Sequence, residues 1–410
     1  MRRQRVAMAL INNQVAEMQG LYGPFTLTER VVQKIWRQLD FDQSRAALRD
    51  GRKLEVLSPG SWNLLGGPDF RDARLRIDGC DVTGDVEVHF HESDWAAHGH
   101  QHDKAYGAVV LHVVLFAPPE GARPARRHDG HELPVMALLP MLHRDLEEYA
   151  SDDALEIITA RAEWRQFAAL AERPAADRAT LLQHHAEIRW KQKVHFARVR
   201  IVKLGWSSAA HHTALEILGY RFNRAVMLGV AGRYPLAEWA NGLEPRRVFE
   251  EQRSLWQLQG VRPANHPLTR LQQYQQWVTR QPDWPARLLE MAAMLPAGLA
   301  ADNATKDVRA MAGFGDWRER FAGEMAGGVL GGTRLDNLIC DGFLPLVAAQ
   351  TARDLTGLWF HWFAGDLPDQ VRVALPWLGV TGSRLQPLCH GYGQGLLGWI
   401  LEREARASAG

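Results

Sequence analysis

The stretch "GDVEVHFHESDW", residues 84–95, decides the fold of the N-terminal part of the chain. Its centre alternates apolar and ionisable residues, and successive side chains of a β-strand point to opposite faces of a sheet. The alternation therefore predicts a strand with Val86, Val88 and Phe90 on one face and Asp85, Glu87, His89 and His91 on the other. Such an ionisable face is either a solvated surface or a place that holds a metal ion.

The sequence on either side of this stretch predicts a β-hairpin inside a mixed sheet. Residues 71–78, "RDARLRID", alternate in the same way, and "GCDVTG" at 79–84 predicts the turn between the two strands. Upstream, "KLEVLSPG" at 53–60 predicts a strand that ends in a Pro-Gly turn. Downstream, the β-branched and aromatic run at 109–116 is typical of a strand buried on both faces. A short helix before that last strand would make the connection a crossover.

Helical periodicity precedes the sheet and dominates the chain after it. Residues 27–39 repeat apolar residues every three to four positions behind Thr28, which is a suitable N-cap. Beyond about residue 142 the chain consists mainly of long amphipathic helical segments separated by proline and glycine. We therefore expect an α+β fold, with a mixed α/β sheet domain at residues 1–142 and a mainly helical domain at residues 143–410.

The composition excludes several classes of protein. Hydrophobic residues make up 46% and charged residues 23%, which is a globular balance, and the formal net charge of +1 excludes a global basic signature. The three cysteines, Cys80, Cys340 and Cys389, form no CxxC pair, which predicts no disulfide framework and fits a reducing cytoplasm. We expect no signal peptide, and no apolar run approaches the ~20 residues of a membrane span.

Two acidic residues on neighbouring strands are candidates for binding one cation. Asp69 precedes the first hairpin strand in "GPDF", and Glu87 lies on the partner strand. Mg²⁺ and Mn²⁺ prefer oxygen ligands of this kind. His89 shares the predicted face of Glu87, where it could orient a water molecule or contact a phosphate beside the metal. We therefore expect Asp69 and Glu87 to hold the metal, with His89 as the polarising group and Glu55 as an additional acid.

The hairpin resembles the core of the PD-(D/E)XK phosphodiesterase superfamily, the fold of many restriction and repair nucleases. Pro68-Asp69 corresponds to the "PD" element and Glu87-Val88-His89 to the "ExK" element. The resemblance implies a restriction-endonuclease-like domain that hydrolyses phosphodiesters of DNA or RNA with Mg²⁺ or Mn²⁺. In the branch related to the RecB nuclease, a Gln-x-x-x-Tyr pattern lies near the site. His102 and Tyr106 take those two positions here, and the resemblance implies that they are accessory contacts.

One residue departs from the pattern of the superfamily, which has lysine where this chain has His89. Lys104, on the next predicted helix, is a candidate substitute. The departure leaves a second interpretation open, in which the domain is a catalytically inactive relic that binds nucleic acid or another protein.

A longer resemblance covers nearly the whole chain. The segments "GPDFRDARLRIDG", "GDVEVH", "HGHQHDKAY" and "LGYRFNR" resemble an uncharacterised bacterial family, a domain of unknown function. That family implies no reaction.

A histidine-ligated zinc site is a third interpretation. Asp94, His98, His102 and Tyr106 recur every four residues, so they would line one face of an uninterrupted helix, and histidines spaced i, i+4 can bind Zn²⁺. His89 and His91 would add ligands from the strand, whereas His112 is expected to be a hydrogen-bonded core residue and His100 an exposed one. The helical part also carries basic residues among aromatic ones around positions 161–200, a mixture that suits either a nucleic-acid groove or an ordinary solvated helix face.

Overall fold

The computed structural model describes residues 15–20, 23–63, 66–161, 165–259 and 261–409. Within these residues the chain forms two compact units, one inside residues 24–146 and the other inside residues 147–410. The first unit is a mixed sheet with helices, and the second is helical, so the expected α+β class is confirmed. None of the described helices has the length and apolar character needed to cross a membrane.

The first unit is built on a six-stranded mixed sheet, and a separate two-stranded sheet precedes it. The strands of the two-stranded sheet are β1 (Val15–Gly20) and β2 (Gly23–Thr28). Those of the six-stranded sheet are β3 (Leu54–Ser58), β4 (Ser61–Trp62), β5 (Phe70–Ile77), β6 (Cys80–His89), β7 (Val109–Val114) and β8 (Val135–Ala137). The spatial order is β3-β5-β6-β7-β8, and β4 also pairs with β5. Strands β3, β5 and β6 are antiparallel neighbours, whereas β6, β7 and β8 run parallel.

The hairpin of β5 and β6 is tighter than the sequence predicts. Ile77 pairs with Cys80, so the turn consists of Asp78 and Gly79 alone, and the prediction of a turn over residues 79–84 is wrong. Both turn residues have positive φ, 46° and 83°, the conformation that two-residue hairpin turns with the right-handed twist of the strands require. The alternating pattern of residues 84–90 therefore belongs to the second half of a ten-residue strand.

Helix α1 (Glu29–Gln38) contacts β6, as the apolar repeat behind Thr28 predicts. Val31, Val32, Ile35 and Trp36 are buried. The connection from β6 to β7 is less regular than expected. Helix α2 (Asp94–Ala97) ends before Gly99, whose φ of 76° is left-handed, and two 3-10 turns follow at His100–His102 and Lys104–Tyr106. Gly99 therefore divides the predicted helix instead of only weakening it.

The second unit contains helices packed around an extensive apolar core. Its helices up to residue 251 are α3 (Leu146–Arg161), α4 (Arg165–Ala171), α5 (Ala175–Leu204), α6 (Trp206–Leu218), α7 (Tyr220–Arg233), α8 (Leu236–Ala240) and α9 (Pro245–Glu251). The later ones are α10 (Pro267–Arg280), α11 (Trp284–Ala292), α12 (Thr305–Met311), α13 (Phe314–Arg320), α14 (Gly332–Asn337), α15 (Leu344–Thr351), α16 (Thr356–His361), α17 (Asp369–Trp377) and α18 (His390–Ala409). A π-helical turn, Leu338–Phe343, joins α14 to α15.

Candidate metal centre in the sheet unit

The two carboxylates predicted from the hairpin lie side by side. The Asp69 backbone N–H donates to Glu87 Oε2 at 2.9 Å, across the pairing of Phe70 with Val86. The carboxylate of Asp69 accepts from Gln33 Nε2 at 2.9 Å through Oδ1 and from the Val88 N–H at 3.1 Å through Oδ2. The strands thus fix both acidic side chains, and Glu87 Oε1 is directed toward histidines instead of toward backbone.

A third carboxylate joins them from α1. Glu29 is 5% exposed, and its Oε1 has no hydrogen-bond partner among the described residues while it lies 4.0 Å from His89 Nε2. Burial, together with the charges of Asp69 and Glu87, raises the pKa of Glu29 to about 9. Burial also raises the pKa of Glu87 to about 8 and that of Asp69 well above its ordinary value. Among the described residues no ion pair joins a lysine or arginine to these three groups, so burial favours their protonated forms unless a cation lies beside them.

Four histidines surround the carboxylates. His89 Nδ1 lies 2.9 Å from His112 Nε2, and His89 Nε2 lies 3.1 Å from His98 Nδ1 and 3.4 Å from Glu87 Oε1. His100 Nε2 lies 3.2 Å from the same Glu87 oxygen. One ring nitrogen from each of His89, His98 and His100 lies within 4.8 Å of the other two. Nitrogen and oxygen lone pairs therefore converge on one buried point.

The backbone explains why His98 and His100 reach the same place. The left-handed Gly99 between them reverses the chain, so that two histidines only two residues apart both approach His89. Tyr106 then stacks on the His100 ring with centroids 3.9 Å apart. A continuous helix would have turned the two histidines about 200° apart around its axis.

Burial keeps these imidazoles neutral. Burial, reinforced by the neighbouring rings, lowers the pKa of His89 well below its ordinary value, and burial lowers those of His100 and His112 to about 4 and about 3. The pKa of His98 is lowered by the same cause. A neutral imidazole has one nitrogen lone pair free to bind a metal, which a protonated one lacks.

Several residues named from the sequence lie elsewhere. His102 is exposed on the first 3-10 turn, and His100 takes the position beside Glu87 instead. His100 is 8% exposed, so the expectation that it lies on the surface is wrong. Glu55 is an exposed partner of Arg76 on the neighbouring strand, which removes it as an additional acid. Lys104 is exposed.

The single helix face proposed for zinc is also wrong, because α2 stops before Gly99. Of its four members, only His98 lies among the converging ring nitrogens. Asp94 instead accepts from the His91 N–H at 2.8 Å as the helix begins, and the His91 ring stacks on Phe116. His112 is fully buried and bonded to His89, as a core histidine should be.

Of the basic residues that suit either a nucleic-acid groove or a solvated helix face, three are paired with carboxylates of the helical unit. Lys193 Nζ contacts Asp341 at 2.7 Å, Arg200 Nη1 contacts Glu216 at 2.6 Å, and Lys191 pairs with Glu187. The side chains of Arg161, Trp164 and Arg165 lie outside the described residues. The described part of this face is thus no open basic groove.

Comparison with known proteins gives one result. A family model described as "Protein of unknown function (DUF2851)" matches residues 29–244, which is just over half of the 410 residues. The match begins at the first residue of α1 and includes every residue of the cluster. No curated protein and no solved structure matches the chain.

Proposed function

The chain belongs to this family of proteins of unknown function, and we propose from the geometry of the site that it is a divalent-metal-dependent hydrolase of phosphodiesters in DNA or RNA. The observation that carries the proposal is the convergence of Glu87 Oε1 with ring nitrogens of His89, His98 and His100, inside a cluster of three buried carboxylates. Burying so many ionisable groups together costs free energy, because buried charges need partners, and an ordinary apolar core would not contain them.

The donor set fits a divalent transition ion. Glu87 and the three histidines would hold it, and three imidazole nitrogens favour Zn²⁺ over Mg²⁺ and Mn²⁺, which prefer oxygen ligands. Asp69, named with Glu87 as a metal ligand from the sequence, already accepts two hydrogen bonds. It would place its charge next to the ion and orient Glu87 through its N–H. When bound, the ion would polarise a phosphoryl oxygen and lower the pKa of a coordinated water.

The chain itself supplies proton handling and orientation. Glu29 Oε1 lies 4.0 Å from His89 Nε2 without a hydrogen-bond partner in the described chain. A cation held beside it would lower its raised pKa, and the ionised carboxylate could then take a proton from an attacking water. In the tautomer in which His89 Nδ1–H donates to His112 Nε2, Nε2 of His89 carries the lone pair that would bind the ion. Tyr106 fixes the ring plane of His100 by stacking.

The arrangement of elements supports phosphodiesters as the substrate class. A helix, three antiparallel strands, a crossover and a parallel strand follow one another as α1, β3, β5, β6, the connection with α2, and β7. The hairpin followed by a crossover and β7 agrees with the resemblance to the PD-(D/E)XK superfamily. Asp69, just before β5, and Glu87, on β6, are the two carboxylates that the resemblance assigns to the metal. His89 replaces the lysine and contributes a metal ligand instead of a cation.

The test is hydrolysis of single- and double-stranded DNA and RNA by full-length protein with Mg²⁺, Mn²⁺ or Zn²⁺ in separate reactions. We expect turnover with Mn²⁺ or Zn²⁺ to fall about 100-fold or more in Glu87→Gln and Asp69→Ala, because several kcal/mol of transition-state stabilisation depend on the metal. Glu55→Gln and His102→Ala are matched controls, since both residues are exposed. Activity that survives Glu87→Gln would overturn the proposal. Salt-dependent binding without turnover would instead favour a non-catalytic nucleic-acid-binding role.

A further inference from the structure

A second polar cluster lies in the helical unit, where α5 and α18 cross. Arg189 and Lys193 are one turn apart on α5, and His390 and Gln394 are one turn apart at the start of α18. Glycine lets the two helices approach closely, because a Cβ on Gly395 would lie 2.1 Å from the carbonyl oxygen of Leu182. The four polar side chains therefore meet at a point that the backbone fixes.

The π-helical turn brings a carboxylate to the same point. Asp341 Oδ1 pairs with Lys193 Nζ at 2.7 Å and lies 4.0 Å from His390 Nε2, which is too far for a hydrogen bond. Turns of this kind are frequent at functional sites. The side chains of Asp341 and Lys193 are 31% and 22% exposed, so this edge of the cluster is in contact with solvent.

His390 is the unusual member. It is 2% exposed, and within the described part of the chain neither of its ring nitrogens has a hydrogen-bond partner. Buried imidazoles normally have such partners. Its ring contacts Trp359 edge-on at 4.9 Å, which holds it in place. Burial lowers the pKa of His390 to about 4, so at neutral pH the ring offers one N–H donor and one lone pair.

Arg189 provides a charge without a carboxylate partner. Its Nε donates to Gln394 Oε1 at 2.8 Å, and among the described residues no carboxylate lies within ion-pairing distance of its guanidinium group. Arg189 and Lys193 share this point with the carboxylate of Asp341, and the charge of Asp152 also acts on Arg189. The cluster offers hydrogen-bond donors from three different side chains, Arg189, Lys193 and His390.

We propose that this cluster binds the phosphate group of a small phosphate monoester that also carries a hydroxyl. Arg189 and Lys193 would contact phosphate oxygens, His390 would donate to a further one, and Asp341 would accept from the hydroxyl. Three donor groups suit the three terminal oxygens of a phosphate ester better than the two of a carboxylate. Asp341 would repel an anion without a hydrogen to donate, so the hydroxyl is part of the recognition. The inference does not depend on the metal centre or on its proposed reaction.

The test is calorimetric titration of the full-length protein, freed of metal with a chelator, with glycerol 3-phosphate, inorganic phosphate and sulfate. We expect the hydroxylated ester to bind at least 10-fold more tightly than sulfate, and Arg189→Gln and Lys193→Met to lose at least 10-fold in affinity. Arg198→Gln and Lys191→Met remove equal charges from exposed positions of the same helix and should change nothing.

Asp341→Asn separates recognition from folding. It should strengthen sulfate binding while reducing the preference for the hydroxylated ester, a pair of opposite changes that a folding defect cannot produce. Absence of binding of either phosphate compound to the wild-type protein at millimolar concentration would overturn the proposal. Equal losses in the exposed controls would also overturn it, because they would show unspecific charge attraction.

Discussion

Replacing His112 by leucine tests how the metal centre is oriented. His112 does not approach the converging donors itself, but its Nε2 lies 2.9 Å from His89 Nδ1 in a fully buried position. In the tautomer in which His89 donates this bond, its Nε2 lone pair is free to bind a metal. Leucine keeps most of the volume but leaves the N–H of His89 unpaired, and partners of this kind typically contribute 10–100-fold in metal affinity. We therefore expect Zn²⁺ affinity to fall by about 1.4–2.7 kcal/mol.

The assay is competition for Zn²⁺ with a chromophoric chelator, which reads affinity without a substrate. His211→Gln is the matched control, because His211 is also buried and hydrogen-bonded, in its case through both ring nitrogens, but lies in the helical unit. The control should bind Zn²⁺ like the wild type. Unchanged affinity in His112→Leu would refute the reasoning, since it would show that His89 does not bind through Nε2.

Two further predictions concern stability. Burial lowers the pKa of His211 to about 4 from 6.5, so its stabilising contribution is complete above pH 6.5 and is lost as the pH falls toward 4. Between pH 7 and pH 5 the free energy of unfolding, measured in urea, should fall by about 2 kcal/mol more for the wild type than for His211→Gln. Equal pH dependence of the free energy of unfolding in the two proteins would contradict this. Gly395→Ala should destabilise the protein by about 1–3 kcal/mol, because its Cβ would overlap the Leu182 carbonyl. Gly229→Ala, where an added Cβ would have no neighbour within 4 Å, should stabilise the protein by up to about 1 kcal/mol. If both glycine substitutions shift the thermal unfolding temperature in the same direction, the argument is refuted.

The sheet could be predicted from the sequence because its signals are local. Alternation at residues 71–77 reports one buried face, and the apolar run at residues 109–116 reports two. Alternation at residues 84–89 marks a strand but not its burial, because residues 86–89 are buried on both faces. The length of the hairpin turn could not be predicted in the same way. Asp78 takes a positive φ that many residues avoid, and the Lys53 N–H, which donates to its side chain, comes from a strand 25 residues away in sequence.

The candidate site could be predicted only in part, for a similar reason. The two-residue period of side chains along a β-strand places Glu87 and His89 on one face, and the turn before β5 places Asp69 beside them. Glu29 carries no comparable signal, because an acidic residue after an N-cap is an ordinary feature of helix starts. His98 and His100 join the cluster only because Gly99 is left-handed, and a glycine flanked by histidines does not reveal its φ from sequence.

The cluster also has a consequence for the order in which its parts become fixed. Glu29, Asp69 and Glu87 lie on or beside α1, β5 and β6, where packing holds them whether or not an ion is bound. His98 and His100 lie instead in short turns whose regular structure spans only three or four residues each. An ion bound to the carboxylates and to these histidines would therefore fix the crossover against the sheet. At a free concentration 100 times its dissociation constant, it would add about 2.7 kcal/mol to the stability of the bound state. The three buried carboxylates repel one another without an ion. Through them, metal binding would be coupled to the folding of the crossover that carries His98 and His100.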